Sequence, residues 1–177
     1  MKDNINVAIR IRPQTEKEET SFASSSSAFS WAINENTISQ VTKTDSKAYL
    51  GTSYTFDKVY NQDSKTHEIY YGAVDDIVKS AMNGINATVF AYGQTSSGKT
   101  HTMYGKSNEA GIINLAIREV FDHIEKNNRR QFIVRMSYLE IYNEIVSDLL
   151  DPNRKNLKIS ENANASSLTH LILFTSL

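Results

Sequence analysis

The chain of 177 residues contains no cysteine. Disulfide bonds and zinc sites built on thiolates are therefore excluded, and a reducing compartment suits the composition. Neither positive nor negative charge is in excess, because the chain contains 19 Lys and Arg and 20 Asp and Glu. Without a global basic field, no nucleic acid or other polyanion is expected as a partner.

Long hydrophobic runs are missing as well. Residues 1–6 contain no apolar core of the length that a signal peptide needs. The late apolar run Leu171–Phe174 is far too short to cross a bilayer. We therefore expect no membrane association and a cytoplasmic location. The 40% hydrophobic and 22% charged composition is that of one globular domain with a core.

One glycine-bounded stretch carries the clearest chemical signal. Gly93–Thr100 fits G-x-x-x-x-G-K-[ST], the phosphate-binding loop. It follows Ala87–Tyr92, a short apolar run that predicts a buried strand. In such a loop main-chain amides surround phosphate oxygens, Lys99 reaches the β- and γ-phosphates, and the Thr100 hydroxyl ligates Mg²⁺. The residues predicted to hold the phosphates are Gly93, Gln94, Thr95, Ser96, Ser97, Gly98, Lys99 and Thr100.

Four separated segments resemble the motor domain of kinesins. The phosphate loop carries the kinesin marks, a Gln-Thr pair inside it and Thr-Met three residues after the lysine. The other three segments are Arg10-Ile11-Arg12-Pro13, Phe56-Asp57-Lys58-Val59-Tyr60 and Ser137–Leu150, which contains Ser-Tyr-x-Glu-Ile-Tyr-Asn-Glu followed by Asp-Leu-Leu. Two arginines beside a proline are by themselves typical of a solvated strand end, but the loop downstream favours the kinesin interpretation.

The resemblance implies an α/β fold of the P-loop NTPase type, with a mixed central sheet flanked by helices. It implies ATP and Mg²⁺ as ligands, microtubules as the partner and the cytoskeleton as the location. It also implies that Arg10, Arg12 and Pro13 lie against the adenine ring, with His101 on the other side of the ring. A kinetochore-type, mitotic subfamily is suggested by Phe56–Tyr60 and by Ser80-Ala81-Met82.

Hydrophobic periodicity and turn residues predict the order of the elements. The predicted strands are 5–13, 29–33, 37–41, 52–60, 87–92 and 132–142, with the second and third forming a hairpin. One helix is predicted from an N-cap at Asp63 or Ser64 to Asn83-Gly84, and another from Gly111. Gln14–Ser27 is expected to form a loop.

The resemblance covers about residues 4–162 and corresponds to the first half of a kinesin motor domain. The switch sequences Asn-x-x-Ser-Ser-Arg-Ser-His and Asp-Leu-Ala-Gly-Ser-Glu do not occur in the 177 residues. We therefore divide the chain into a motor-domain part, 1–162, and a divergent tail, 163–177, which a shifted reading frame or an unspliced intron would explain. The strand before the phosphate loop is expected to lack neighbours on both edges, which predicts poor stability.

Three functions remain open at this point. The first is an ATP-dependent microtubule motor by family, with motor activity lost from these 177 residues because the switch segments that hydrolysis needs are absent. The second is a nucleotide-binding or inert fragment without motor activity. The third is an unrelated small P-loop NTPase.

Overall fold

The computed structural model describes residues 5–23, 29–44, 47–158 and 171–175. Its strands are β1 (Ala8–Arg10), β2 (Phe29–Asn34), β3 (Thr37–Thr44), β4 (Lys47–Thr55), β5 (Lys58–Tyr60), β6 (Ala87–Ala91), β7 (Gly105–Lys106), β8 (Glu109–Ala110), β9 (Leu139–Tyr142), β10 (Ile145–Asp148) and β11 (Leu171–Thr175). Its helices are α1 (Glu16–Ala23), α2 (Thr66–Ile69), α3 (Asp75–Met82), α4 (Lys99–Tyr104) and α5 (Ile112–Lys126). A π-helical turn, Tyr70–Val74, joins α2 to α3.

Some strands pair in parallel and others antiparallel, in agreement with the predicted α/β class with a mixed sheet. β1 pairs in parallel with β5, and β6 pairs in parallel with β11. β2, β3 and β4 form an antiparallel sheet, and β7–β8 and β9–β10 are antiparallel hairpins. Within the described residues these strands form five separate sheets, which agrees with the expectation of an incomplete central sheet. No helix in the described part of the chain has the length and hydrophobicity needed to cross a membrane.

The predicted hairpin around Asn34-Glu35-Asn36 is confirmed. Asn34 pairs with Thr37, and Glu35 takes a positive φ of 51°, as a tight turn requires. The adjoining β3–β4 pair is supported by a hydrogen bond of 2.7 Å between the hydroxyls of Ser39 and Ser53. The predicted strand 52–60 is wrong as a single element, because β4 ends at Thr55 and β5 begins at Lys58.

The helical segment before the phosphate loop ends at Asn83-Gly84 as predicted, but its N-cap differs. Helix α2 begins at Thr66, because the Glu68 carboxylate accepts a hydrogen bond of 2.8 Å from the Lys65 amide and so caps that end. Ser64, the predicted cap, instead donates its hydroxyl proton to the Asn61 side-chain oxygen at 2.8 Å. The π-helical turn had no counterpart in the sequence prediction.

The core lies where this helical segment packs against α4 and α5. Its buried members are Ile69, Tyr70, Val74, Val78, Met103, Ile112 and Ala116. Apolar residues three and four apart place one stripe of α3 and one of α5 against each other. Met103 brings α4 into the same cluster with only 1% of its surface exposed. The helix that follows the phosphate loop is therefore anchored in the core.

Two predicted segments differ from the structure. Of the predicted strand 132–142 only Leu139–Tyr142 is a strand, and residues 131–138 have no regular structure. No strand of the described chain pairs with 131–138, so apolar side chains such as Ile133, 84% exposed, face solvent. The predicted loop 14–27 is wrong for residues 16–23, which form α1; residues 24–27 lie outside the described residues.

The strand before the phosphate loop has a partner on one edge. β11 pairs in parallel along the whole of β6, from Leu171 opposite Ala87 to Thr175 opposite Ala91. The expectation of two open edges is therefore wrong for one edge. The backbone that covers it comes from residues beyond 162, and the pairing satisfies main-chain donors and acceptors that would otherwise be left open.

We expect Met103→Ala to lower the free energy of unfolding by about 2–5 kcal/mol, because it removes a fully buried side chain and leaves a cavity. Urea denaturation followed by circular dichroism measures this. Met136→Ala is the matched control: Met136 is 60% exposed, so its replacement should change stability by no more than about 0.5 kcal/mol. Equal effects of the two substitutions would contradict the assigned core.

Candidate functional site

The loop between β6 and α4 is tightly curved. Ser96 and Gly98 take φ of 64° and 99°, in the left-handed region, and a Cβ atom on Gly93 would lie 2.5 Å from the Ser97 hydroxyl oxygen. Such turns direct successive amides toward one side of the backbone, which forms an anion-binding concavity. Glycine is therefore favoured at position 98 by the left-handed backbone conformation, and at position 93 by the close approach of the Ser97 side chain.

The Lys99 ammonium lies over this loop. Its Nζ donates hydrogen bonds to the carbonyl oxygens of Gly93, at 2.8 Å, and Gln94, at 2.9 Å. An ammonium has three N–H donors, so one remains for a further acceptor. The charge of Lys99 is thus held close to the concave backbone, where a phosphate oxygen would meet both the amides and the cation.

Thr100, the predicted Mg²⁺ ligand, follows Lys99 in the first turn of α4 and is exposed. No cluster of three His, Cys, Asp or Glu side chains that could hold a metal ion exists within the described ranges. A magnesium ion here would need most of its oxygen ligands from phosphates and water, with the hydroxyl as a protein ligand. Mg²⁺ is commonly bound in this way, because it keeps several waters and dehydrates reluctantly.

An open cavity of about 970 Å³ lies beside the loop, between β1, α2, β6 and α4. Its size is at the upper end of the range for small-molecule sites. The predicted site residues that line it are Arg10, Arg12, Pro13, Ser96, Ser97, Gly98, Lys99 and His101. Gly93, Gln94, Thr95 and Thr100 do not line the cavity. The structure therefore brings the arginine-proline corner of β1 together with the loop, about 85 residues further along the chain.

The guanidinium of Arg10 donates hydrogen bonds to other groups of the protein. Nη1 donates to the hydroxyls of Thr66, at 3.1 Å, and Thr102, at 2.9 Å, and Nη2 donates to the Ser64 carbonyl oxygen at 3.3 Å. Burial lowers the pKa of Arg10, and the negative charge of Glu109 opposes that shift. Arg10 thus joins β1 to α4 and to the start of α2.

Arg12 is held by α1. Its two terminal nitrogens donate to the two carboxylate oxygens of Glu18, and Nη1 also donates to the Pro13 carbonyl oxygen at 2.9 Å. Glu18 accepts two more hydrogen bonds from Thr15, from the amide at 2.8 Å and the hydroxyl at 3.0 Å. These contacts, with Arg12 first and Thr15 second, lower the pKa of Glu18 from 4.5 to about 2.

His101 lies close to the carboxylate of Glu109, a residue outside the predicted site. Its Nε2 is 3.8 Å from one carboxylate oxygen of Glu109. The other oxygen accepts a hydrogen bond of 2.6 Å from the Thr66 amide. Burial and the positive charge of Arg10 lower the pKa of His101, while Glu109 acts in the opposite direction. No motif or periodicity in the sequence around Glu109 distinguishes it from an ordinary solvent-exposed glutamate.

Comparison with known proteins bears on the whole chain. The Kinesin motor domain family matches residues 10–173. Among curated proteins, the chain is 43% identical over 165 residues to "Kinesin-like protein KIN-7M, chloroplastic" of Arabidopsis thaliana and 43% identical over 164 residues to "Kinesin-like protein KIN-7K, chloroplastic" of Oryza sativa subsp. japonica. It is 42% identical over 167 residues to "Kinesin-like protein KIN-7C, mitochondrial" of Arabidopsis thaliana.

These alignments cover nearly all of the chain but little of the relatives. They include 93% of the chain and 15% of each of the first two relatives, and 94% of the chain and 18% of the third. The three relatives carry KIN-7 names, so they give no support to a kinetochore-type subfamily. The family match removes the alternative of an unrelated small P-loop NTPase.

We expect the carboxyl group of Glu18 to titrate with a pKa of about 2. Because the folded-state value is depressed, the contact stabilises the fold above pH 4.5 and is lost as the pH falls from there toward 2. Carbon-13 NMR of the labelled side chain measures it. Arg12→Gln should return the pKa toward 4.5; an unchanged titration in that variant would show that Arg12 does not hold the carboxylate.

Proposed function

Because the chain belongs to the kinesin motor domain family, we propose that its phosphate loop binds ATP together with Mg²⁺, and that this site is the nucleotide site of the family's microtubule motor function. The observation that carries the nucleotide site is the curved loop with the Lys99 ammonium held above it. Kinesin motor domains bind nucleotide with Mg²⁺ as a family, which supports the same ligands here.

The phosphate side of the proposed site uses main-chain donors and one cation. Amides of the loop donate to phosphate oxygens, and Lys99 exchanges a carbonyl contact for a phosphate or uses its remaining N–H. Thr100 supplies a hydroxyl oxygen toward the metal. When bound, Mg²⁺ would neutralise phosphate charge and orient the oxygens for in-line attack.

The base side of the proposed site is the part of the cavity between β1 and α4. Arg12, Pro13 and His101 line it. The ion pair with Glu18 keeps the Arg12 guanidinium at the cavity, where its flat face is suited to stacking on a ring. We propose that the adenine ring lies between this corner and the His101 imidazole, as the resemblance to kinesins implies.

Hydrolysis requires more than this site. A water must be placed in line with the γ-phosphate and the developing charge must be neutralised. The two kinesin switch sequences that do this do not occur in the 177 residues. We therefore propose that these residues by themselves bind nucleotide without completing the motor cycle, which also couples the switches to the filament.

We propose a cytoplasmic, microtubule-associated location, without nucleic acid or membrane as a partner. The near-zero net charge and the family support this proposal. The chloroplastic and mitochondrial terms in the names of the relatives describe those proteins.

We expect Lys99→Ala to weaken binding of a fluorescent ATP analogue at least about 10-fold, because it removes the main positive charge facing the phosphates. Fluorescence titration of the 177-residue chain with Mg²⁺ present measures the affinity. Lys126→Ala, in the exposed last turn of α5, is the matched control and should leave the affinity unchanged. Equal affinities of Lys99→Ala and the unmodified chain would refute the role of Lys99.

We expect the isolated 177-residue polypeptide to remain in the supernatant when microtubules are sedimented with a non-hydrolysable ATP analogue. The reason follows from the resemblance to kinesins, which implies that the basic loop and helix that bind tubulin in that family are not among these residues. A full-length kinesin motor domain serves as the positive control. Sedimentation of the polypeptide with microtubules at low micromolar tubulin would contradict the expectation that these 177 residues alone do not bind the filament.

A further inference from the structure

The Glu109 carboxylate connects two of the elements that surround the cavity. One oxygen accepts the Thr66 amide at 2.6 Å, at the first residue of α2, and the other lies 3.8 Å from Nε2 of His101 in α4. A hydrogen bond to an ionised carboxylate is shorter and stronger than a neutral one. Consistent with this, the Thr66 contact lowers the pKa of Glu109.

Glu109 also acts on β1 through Thr66. Thr66 is fully buried, and its hydroxyl accepts a hydrogen bond from Arg10, which also bonds Thr102. The guanidinium therefore binds the hydroxyl, and the carboxylate the amide, of the same threonine. Displacing the start of α2 would move an acceptor of Arg10 and so disturb the corner of β1.

The backbone of Glu109 is placed by a short hairpin directly after α4. Gly105 pairs with Ala110, and Lys106 pairs with Glu109. A Cβ atom on Gly105 would lie only 2.1 Å from the Glu109 carbonyl oxygen, so the two strands approach as closely as a glycine permits. The hairpin thus returns the chain to the side of α4 that carries His101.

We propose that Glu109 is a positioning residue for the base side of the nucleotide site. Its hydrogen bond to the Thr66 amide fixes the start of α2 and, through Thr66, the position of Arg10, while its second oxygen lies beside His101. The surface facing the base is thereby formed before the ligand binds. This inference rests on the proposed nucleotide function. Neither Thr66 nor His101 belongs to the phosphate loop, where Lys99 is held by the carbonyls of Gly93 and Gln94, so we expect little effect of Glu109 on the phosphate side.

The test separates the base side from the phosphate side with two ligands. Affinities for Mg²⁺-ATP and for Mg²⁺-tripolyphosphate, which has no base, are measured by calorimetry with the 177-residue chain. Glu109→Ala should weaken ATP about three- to tenfold and leave tripolyphosphate unchanged. Glu109→Gln keeps an oxygen acceptor for the Thr66 amide and should recover most of the ATP affinity. Glu125→Ala, exposed near the end of α5, should change neither.

The outcomes separate the two proposals. Unchanged ATP affinity in Glu109→Ala, or equal weakening of both ligands, would overturn the positioning role and leave the nucleotide site standing. If the unmodified chain binds neither ligand, the nucleotide site is wrong and this inference fails with it. The Thr66 amide gives a readout that needs no ligand. Its NMR signal should move upfield and its hydrogen exchange should accelerate in Glu109→Ala while circular dichroism stays unchanged, and an unmoved signal would overturn the contact.

Discussion

Three hydrogen bonds from the Arg10 guanidinium hold the cavity in its shape. They join β1 to the buried Thr66, to the Ser64 carbonyl and to Thr102 in α4. Hydrogen bonds from a charged donor contribute about 1.5–3 kcal/mol each, and leaving such a donor half-buried and unpaired costs more. The β1 corner and the phosphate-loop helix are therefore constrained relative to each other, although they are distant in sequence.

The two sides of the proposed site depend on different kinds of interaction. On the phosphate side, the loop is shaped by its own residues: Gly98 takes a left-handed conformation, and Lys99 bonds carbonyls five and six residues before it. On the base side, Arg12 is held by Glu18, and His101 lies beside Glu109. The phosphate side is thus local, whereas the base side is assembled from β1, α1, α4 and β8.

The differences between expected and observed elements have a common physical reason. A strand forms only when its main-chain groups find a partner. Residues 131–138 have the alternating pattern of a strand but pair with no strand of the described chain, whereas Leu139–Tyr142 pairs with Ile145–Asp148. Conversely, Leu171–Thr175 forms a strand because it pairs in parallel with one edge of β6. The N-cap at Lys65 depends on the Glu68 side chain, whereas the sequence favoured Asp63 or Ser64 because these residue types are common N-caps.

The amino-acid sequence alone determined the phosphate loop, the strand before it, the C-terminal end of the long helical segment at Asn83-Gly84 and the kinesin family. These features are local, because glycine conformation, capping and hydrophobic period act within a few residues. Only the tertiary structure decided that Glu109 faces His101, that Arg10 bonds Thr66 and Thr102, and which strands pair. Those contacts join segments whose spacing along the chain carries no signal, because they depend on how separate helices and strands pack together and not on local sequence.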